Sequence, residues 1–302
     1  MCGIGGIMLS EGSEMPVSEV KALWTLLEDR GTHAAGVSWA WENADEPVVF
    51  KAPRSAGKMA DKIEMVSGTN SIYAFFHTRY TTQGSTSNNG NNHPVVSNNL
   101  IVTHNGVLRN DSWVFNYTGQ PKSHQVDTEA INAGLRYGGI GWVADNIQGS
   151  MSIAWVDITQ NHEEVNLFTN GGNPLVIARV NGGQVVWAST LEHIKVAGFE
   201  IQSSFNASPY KHYTVSRDDS GEVLIDSYYC SDKQAEASVS GMYRHSSSYA
   251  RNVGYTGKTP KKSKKARKTP KKSKNGLVHL EDGAMIWNGM RYDPVSQTWK
   301  NW

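Results

Sequence analysis

The sequence predicts an α+β fold in which a few helices pack on the outside of antiparallel β-sheets. Up to about residue 230, short apolar runs typical of strands outnumber segments with helical spacing. Parallel strands need long crossovers, usually helical, so few helices favour antiparallel pairing. The chain has 302 residues, 38% of them hydrophobic and 10% aromatic, which is enough for a substantial core in this part.

Two helices and a short helical segment are predicted among the strands. In residues 17–28, Val20, Leu23 and Leu27 recur at helical spacing, and Pro16 and Gly31 suit the two ends of that helix. A second helix is predicted over residues 127–136 and a short helical segment over 58–66. The other runs predict strands over residues 4–9, 37–41, 48–51, 72–80, 100–104, 152–156, 165–169, 175–179, 185–188, 210–217 and 223–227, with a polar turn typical of a hairpin between the last two.

Cysteine content and hydropathy bear on the cellular compartment. The two cysteines, Cys2 and Cys230, are too few for a disulfide framework and are typical of a reducing compartment. The N-terminus has no charged-then-apolar signal pattern, and no apolar run approaches 18 residues. We therefore expect a soluble cytoplasmic protein that does not contact a membrane, and we expect Cys230 to be an incidental thiol.

The composition changes after Cys230. Residues 231–257 are rich in Ser, Gly and Tyr, and residues 258–274 contain the motif KTPKKSK twice, with ten Lys or Arg and no acid. Because the whole chain carries a formal net charge of +1, the rest of it carries −9. We predict that residues 231–275 form a disordered linker. The aromatic-rich residues 276–302 are predicted to form a small module or a docking segment.

Cys2 directly follows the initiator methionine. If Met1 is removed, Cys2 carries a nucleophilic thiol and a free α-amine on one residue. An α-amine has an ordinary pKa of about 7.7–8.0, so it can act as a base near neutral pH. The position alone also fits an ordinary small residue at the start of a buried first strand.

Three further segments place polar residues where a plain core would not need them. Residues 30–36 read RGTHAAG after the first helix, residues 77–84 read HTRYTTQG at the end of an apolar strand, and residues 103–106 read THNG at another strand end. The triplet DTE follows at residues 127–129, where a helix is predicted to begin.

With the CGI start and the NNHP stretch at residues 91–94, these motifs resemble the class II glutamine amidotransferase domain, an N-terminal-nucleophile hydrolase. The match in order and approximate spacing covers residues 2–230. The resemblance implies a four-layer αββα sandwich of two antiparallel sheets and an enzyme without a metal or other cofactor. His77, His93 and His104 are then expected to fix loops by hydrogen bonding rather than to bind a metal.

The resemblance also implies a mechanism. The Cys2 thiol attacks the side-chain amide of glutamine, and its α-amine carries the proton to the departing ammonia. Water then hydrolyses the γ-glutamyl thioester to glutamate. The Asn105 side chain and the Gly106 N–H are implied to stabilise the oxyanion of each step. Asn105 has an alternative interpretation as a turn residue, because Asn-Gly pairs favour tight turns.

Four residues are implied to bind glutamine or to lie beside the nucleophile. Arg79 offers a planar fork for the α-carboxylate, Thr82 offers a second donor, and Asp127 would pair with the α-ammonium. Arg30 resembles a family arginine close to the nucleophile, although a structural role fits it nearly as well. Arg79 could instead form a structural ion pair, and Asp127 could cap the helix that it begins.

Three functional hypotheses follow. In most relatives of this family a synthase domain consumes the ammonia, and the residues after Cys230 are too few for one, so we expect a glutaminase that supplies a synthase on a separate chain. The alternatives are a stand-alone amidohydrolase acting on a γ-glutamyl compound, and a non-catalytic protein anchored by its basic tail. Residues 258–274 could bind a polyanion such as nucleic acid or serve only as a solvated linker.

Overall fold

Two antiparallel β-sheets stack face to face in this chain. The computed structural model describes residues 1–66 and 70–231, together with the backbone of four short strands between residues 278 and 301. Contacts divide the chain into two units, Met1–Ala237 and Ser238–Trp302. Both large sheets lie in the first unit.

The first sheet has seven strands in the order β11-β9-β10-β1-β4-β2-β3. They are β1 (Gly3–Met8), β2 (Ala34–Trp41), β3 (Val48–Ala52), β4 (Ser71–Arg79), β9 (Val176–Val180), β10 (Val185–Ala188) and β11 (Ile201–Asn206). Strand β1 lies between β4 and β10, and all of its residues are buried. Small residues make this close packing feasible, because a Cβ at Gly6 would overlap the ring of Trp187.

The second sheet has six strands in the order β13-β12-β8-β7-β6-β5. They are β5 (Val95–Ser97), β6 (Leu100–Leu108), β7 (Gly149–Asp157), β8 (Val165–Thr169), β12 (Lys211–Arg217) and β13 (Val223–Tyr229). Strands β6 and β7 pair from Leu100 opposite Asp157 to Leu108 opposite Gly149. The segment that contains Asn105 and Gly106 is therefore part of a long, regular strand pair.

Helices cover the outer face of each sheet. Helices α1 (Val17–Leu26) and α4 (Leu191–Val196) pack on the seven-stranded sheet, and α2 (Asp111–Thr118) and α3 (Thr128–Asn146) on the six-stranded sheet. Short 3₁₀ turns occupy Leu27–Arg30, Ala56–Lys58, Ala60–Val66, Asn89–Asn91 and Asn181–Gly183. Among the described residues, no helix combines the length and the apolar character needed to cross a membrane. The order of layers is αββα, as predicted.

The main core fills the space between the two sheets. Ile4 and Phe75 from the first sheet meet Ile101 and Leu167 from the second in one buried cluster. A second cluster lies between the six-stranded sheet and its helices, where Ile131 of α3 packs with residues of β6 and β7. Burial of apolar surface on both faces of each sheet stabilises the sandwich and keeps the ends of β1, β4 and β6 in fixed positions.

Most predicted elements are present, and the differences have physical reasons. The helical segment predicted over residues 58–66 is instead two 3₁₀ turns, in keeping with the cost of nucleating a short helix. Helix α3 does not end at Arg136 but continues beyond a break at Gly138 and Gly139, because Ile140 and Val143 also face the core. The prediction omitted α2, α4, β5 and β11; most of β11 is exposed and polar, so it lacks an apolar pattern.

The second unit contains a small antiparallel sheet. Its strands, in spatial order, are β14 (Val278–His279), β15 (Met285–Trp287), β16 (Met290–Asp293) and β17 (Thr298–Asn301). The basic block at residues 258–274 and nearly all of the predicted linker at 231–275 lie outside the described residues. The predicted boundaries of these segments remain predictions.

Candidate active site

Cys2 lies immediately before β1, at the end of the central strand of the seven-stranded sheet. The side chain is partly buried, and its Sγ is 3.6 Å from the backbone oxygen of Tyr80. Arg30 Nε donates a 2.9 Å hydrogen bond to the Cys2 carbonyl oxygen. Met1 is 69% exposed. The backbone of Cys2 is therefore held by Arg30, whereas the residue before it is exposed.

Charges of both signs act on the Cys2 thiol. Burial raises the pKa of this thiol above its ordinary value, and it is the largest influence. The Arg79 guanidinium lowers the same pKa and the Asp127 carboxylate raises it. Both side chains are thus within electrostatic reach of the sulfur. Because burial favours the neutral thiol, attack on a carbonyl requires a base.

Two histidines connect the last residues of β4 to the middle of β6 across the sandwich. Ile4 of β1 is paired with His77 of β4, and His77 Nε2 is 3.0 Å from the backbone oxygen of His104. Asn105 directly follows His104. These contacts bring the start of β1 and the Asn105–Gly106 segment to the same end of the two sheets.

The side chain of Asn105 is fully buried and unpaired. Its exposure is 0%, and neither Nδ2 nor Oδ1 has a hydrogen-bond partner among the described residues. Both Asn105 and Gly106 lie within β6, so the alternative interpretation as a turn is wrong. Burying an amide without a hydrogen-bond partner costs free energy, and a catalytic role is one explanation for such a group.

Gly106 lies where the backbone of β7 approaches closely. A Cβ at this position would overlap the backbone oxygen of Ser150 and would lie 2.5 Å from His104 Nε2. Only glycine fits this position without moving its neighbours.

The guanidinium of Arg79 is buried and holds the loop that follows β4. Nη1 donates to Asn92 Oδ1 over 2.8 Å, and Nη2 donates to the backbone oxygens of Gln83 and Gly84. Among the described residues no carboxylate forms a salt bridge with Arg79, which does not support the alternative ion-pair role. Arg79 therefore presents its charge near Cys2 while it braces a loop.

Asp127 occupies the N-cap position of α3, as the alternative interpretation predicts. Its side chain, however, makes no capping hydrogen bond. Instead, Oδ2 accepts a 2.8 Å hydrogen bond from the Leu108 N–H, and Oδ1 lies 3.9 Å from His104 Nδ1. The carboxylate thus joins the start of α3 to the end of β6 and keeps one oxygen close to the site.

Thr82 is exposed on the loop after Arg79. Among the described residues, no hydrogen bond joins its side chain to another candidate residue. Arg30, by contrast, contacts the nucleophile's own residue through the Cys2 carbonyl. The structure thus brings together six of the seven residues predicted for the site. They are Cys2, Arg30, Arg79, Asn105, Gly106 and Asp127.

The three histidines form a buried hydrogen-bond cluster around Thr128. His93 Nε2 and His104 Nδ1 lie 2.7 and 3.1 Å from Thr128 Oγ1, and the His77 and His93 rings stack at 4.1 Å. Burial lowers the pKa of all three, that of His77 to about 3. The rings are therefore neutral at physiological pH. Among the described residues, no three His, Cys, Asp or Glu side chains are arranged so that they could hold a metal ion together.

Sequence reasoning missed three residues that support the site. Lys51 of β3 is buried, and its Nζ donates 2.8 Å hydrogen bonds to the backbone oxygens of Asn92 and Pro94. Burial lowers its pKa to about 7, with a further contribution from Arg79. Asn92 links this lysine to Arg79, and Asn173 Nδ2 donates to the Asn105 backbone oxygen over 3.1 Å. Asn92 lies in the NNHP stretch, and Asn173 lies in a GNPL segment at residues 172–175 that loosely resembles a family motif, whereas Lys51 carried no sequence signal.

The fold and the position of Cys2 indicate the class of proteins that the chain resembles. The αββα sandwich with Cys2 at the start of a central strand is the N-terminal-nucleophile hydrolase fold of class II glutamine amidotransferases. Two solved structures share this fold with the chain over 76% of its length, both at 20% identity. One, with a TM-score of 0.58 over 50% of its length, is glutamine phosphoribosylpyrophosphate amidotransferase from B. subtilis. The other, with a TM-score of 0.59 over 49% of its length, is described as the allosteric regulatory enzyme of purine biosynthesis.

The chain is related in sequence to glutamine amidotransferases. It is 28% identical over 164 residues to glutamine–fructose-6-phosphate aminotransferase of Buchnera aphidicola, and 33% identical over 137 residues to that of Sulfurisphaera tokodaii. These matches cover 50% and 43% of this chain but only 26% and 22% of the relatives, so the chain spans a minor part of their length. No family model matches the chain. The similarity agrees with the predicted resemblance to class II glutamine amidotransferases.

Proposed function

We propose that this chain is a glutaminase, which hydrolyses the side-chain amide of glutamine to glutamate and ammonia through a thioester on Cys2. The observation that carries the proposal is that Cys2 and the buried amide of Asn105, which has no hydrogen-bond partner among the described residues, lie at the same end of the two sheets. A plain core has no use for such an amide, whereas a tetrahedral oxyanion needs a donor of this kind.

The chemistry begins with the removal of Met1, which frees the α-amine of Cys2. The amine takes the thiol proton as the sulfur attacks the amide carbon, and it returns that proton to the departing ammonia. Asn105 Nδ2 and the Gly106 N–H stabilise the negative oxygen of the intermediate. Water then cleaves the C–S bond by the same route, releasing glutamate and restoring the thiol.

Two charged side chains would select glutamine over other amides. The buried Arg79 guanidinium would bind the α-carboxylate, with Thr82 as a second donor at the exposed rim. Asp127 would bind the α-ammonium through Oδ1, because Oδ2 already accepts from Leu108. Arg30 would hold Cys2 by its carbonyl rather than touch glutamine.

Replacement of the nucleophile tests the proposal. We expect Cys2→Ala to reduce ammonia release from glutamine to background, while Cys230→Ala, which removes the other thiol, leaves it unchanged. Thermal unfolding should show that both variants fold. Intact-mass spectrometry should find Met1 absent from the active protein and, after acid quenching with glutamine, a γ-glutamyl adduct. Substantial ammonia release by Cys2→Ala, or full activity with Met1 retained, would refute the mechanism.

We further propose that the ammonia passes to a synthase on a separate chain in the cytoplasm, with residues 258–274 as a basic contact for a polyanion. The names of the relatives support an acceptor reaction, and the two unpaired cysteines fit a reducing compartment. A pull-down with the full chain and with a chain ending at residue 232 tests the tethering role. Equal capture of partners and of nucleic acid by both chains would refute it.

A further inference from the structure

The peptide unit between Asn105 and Gly106 contributes one of the two proposed oxyanion donors. This unit contains the Asn105 carbonyl and the Gly106 N–H, which point in opposite directions in a trans peptide. Fixing the direction of the carbonyl therefore fixes the direction of the N–H.

The N–H of Gly106 faces the edge of β6 beside Asp127, which is proposed to bind the α-ammonium of glutamine. N–H groups two residues apart on a strand point to the same side, and the Leu108 N–H reaches Asp127 Oδ2. The Gly106 N–H therefore points toward the same edge as Asp127. Strand β5 pairs with β6 only as far as Val102, so β5 does not pair with Gly106 on this edge.

Glycine lowers the free-energy cost of reversing the orientation of this peptide. Gly106 is required because its neighbours leave no room for a Cβ, but glycine also permits backbone conformations that other residues avoid. A reversed peptide would direct the Asn105 carbonyl oxygen at the developing negative charge. The pairing of Asn105 with Ser152 of β7 restrains the peptide, and a further contact to the Asn105 carbonyl oxygen would add to the hold on its productive direction.

Asn173 provides that contact and is itself held firmly. Its Nδ2 donates to the Asn105 carbonyl oxygen over 3.1 Å. Its own backbone oxygen accepts hydrogen bonds from Ser152 Oγ over 2.8 Å and from Thr169 Oγ1 over 3.0 Å. Ser152 is paired with Asn105 on β6 and with Thr169 on β8, so three adjacent strands support the contact.

We propose that Asn173 is a positioning residue that orients the Gly106 N–H toward the oxyanion by holding the Asn105 carbonyl. The inference rests on the proposed glutaminase function. Asn173 does not touch the substrate, so it acts only on the transition state and its loss should lower kcat without weakening glutamine binding.

Two variants of Asn173 test this role against a matched control. Asn173→Asp keeps the shape but replaces the donor with a carboxylate that repels the carbonyl, and Asn173→Ala removes the donor. Asn110→Ala is the control, because Asn110 Nδ2 also donates to a backbone carbonyl, that of Asn146, over 2.9 Å. We expect kcat to fall by about 10²-fold in Asn173→Asp, with KM for glutamine within twofold, as for the loss of one oxyanion donor. Asn110→Ala should keep its kcat even if its thermal unfolding temperature falls as far as that of the Asn173 variants.

A crystal structure of Asn173→Asp separates this inference from the glutaminase proposal, because it needs no turnover. We expect the Asn105–Gly106 peptide to be reversed or in two orientations. An unaltered peptide with unaltered kcat, or a rise in KM equal to the fall in kcat/KM, would overturn the positioning role. If the unmodified protein releases no ammonia, the glutaminase proposal fails, and the peptide orientation in the variant still decides whether Asn173 holds it.

Discussion

The unpaired side-chain amide of Asn105 should lower the free energy of unfolding of the protein. Its amide is 0% exposed, and both polar atoms lack partners among the described residues. A buried, unsatisfied polar group costs about 1–3 kcal/mol. Leucine has a similar size and no polar atom. We therefore expect Asn105→Leu to raise the free energy of unfolding by about 1–3 kcal/mol, although it removes a residue of the proposed catalytic machinery.

Asn91 offers a matched substitution with the opposite expected sign. It is also 0% exposed, but its Nδ2 donates to Ser85 and Gln125, and its Oδ1 accepts from the Gln125 N–H over 2.8 Å. Three hydrogen bonds at about 0.5–1.5 kcal/mol each would be lost, and their partners would be left unpaired. Asn91→Leu should therefore lower the free energy of unfolding by about 2–4 kcal/mol.

Urea unfolding followed by intrinsic fluorescence measures both changes, and ammonia release measures activity. In Asn105→Leu, kcat should fall by about 10²–10³, the usual cost of one lost oxyanion donor. A gain in stability together with a loss of rate is the expected result. The proposed role of the Asn105 amide as an oxyanion donor would be excluded by either of two results. One is that Asn105→Leu destabilises the protein as much as Asn91→Leu does, and the other is that it keeps kcat within tenfold of the unmodified protein's value.

Two further predictions concern charged groups at the site. Because burial lowers the pKa of Lys51 to about 7, the unfolded chain binds more protons above that pH. The free energy of unfolding of the protein, relative to that of Lys51→Met, should therefore rise by up to about 1.4 kcal/mol per pH unit from pH 7 to pH 10. Below pH 7 this difference should stay constant. Urea unfolding that shows the same difference at every pH would contradict the prediction. Asp127→Asn keeps an acceptor for Leu108 but loses the charge, so KM for glutamine should rise about 10- to 100-fold. Glutaramate, which lacks the α-ammonium, should show no such change, and an equal change for both substrates would exclude the proposed ion pair.

The apolar runs were sufficient to predict most of the strands, because both faces of each sheet are covered and most strands are continuous apolar runs. Their arrangement in two stacked sheets was implied only by the family resemblance. The position of Asn105 and Gly106 within a strand was not predictable in this way, since the Asn-Gly pair by itself favours a turn. Their proposed role came from the order of several motifs, and only the pairing of β6 with β7 placed them in a strand.

Lys51 shows where pattern reasoning fails. In the run Val48-Val49-Phe50-Lys51-Ala52, alternation of apolar and polar residues would turn Phe50 inward and Lys51 outward. The structure does the reverse: Lys51 is buried and Phe50 is half-buried under Lys62 Nζ at 5.4 Å. The buried lysine is tolerated because two carbonyl oxygens, from residues distant in sequence, accept its hydrogen bonds. Contacts of this kind leave no local signal in the sequence.

The central position of β1 has a practical consequence for anyone who produces this protein. Because β4 and β10 hold the strand on both sides and Arg30 holds the Cys2 carbonyl, residues added before Cys2 cannot be accommodated by sliding the strand. An affinity tag fused at this end would leave the sandwich intact and normal in unfolding experiments, yet it would keep the α-amine of Cys2 locked in a peptide bond. Under the proposed mechanism such a preparation would be well folded but inactive, so purification handles belong at the other terminus.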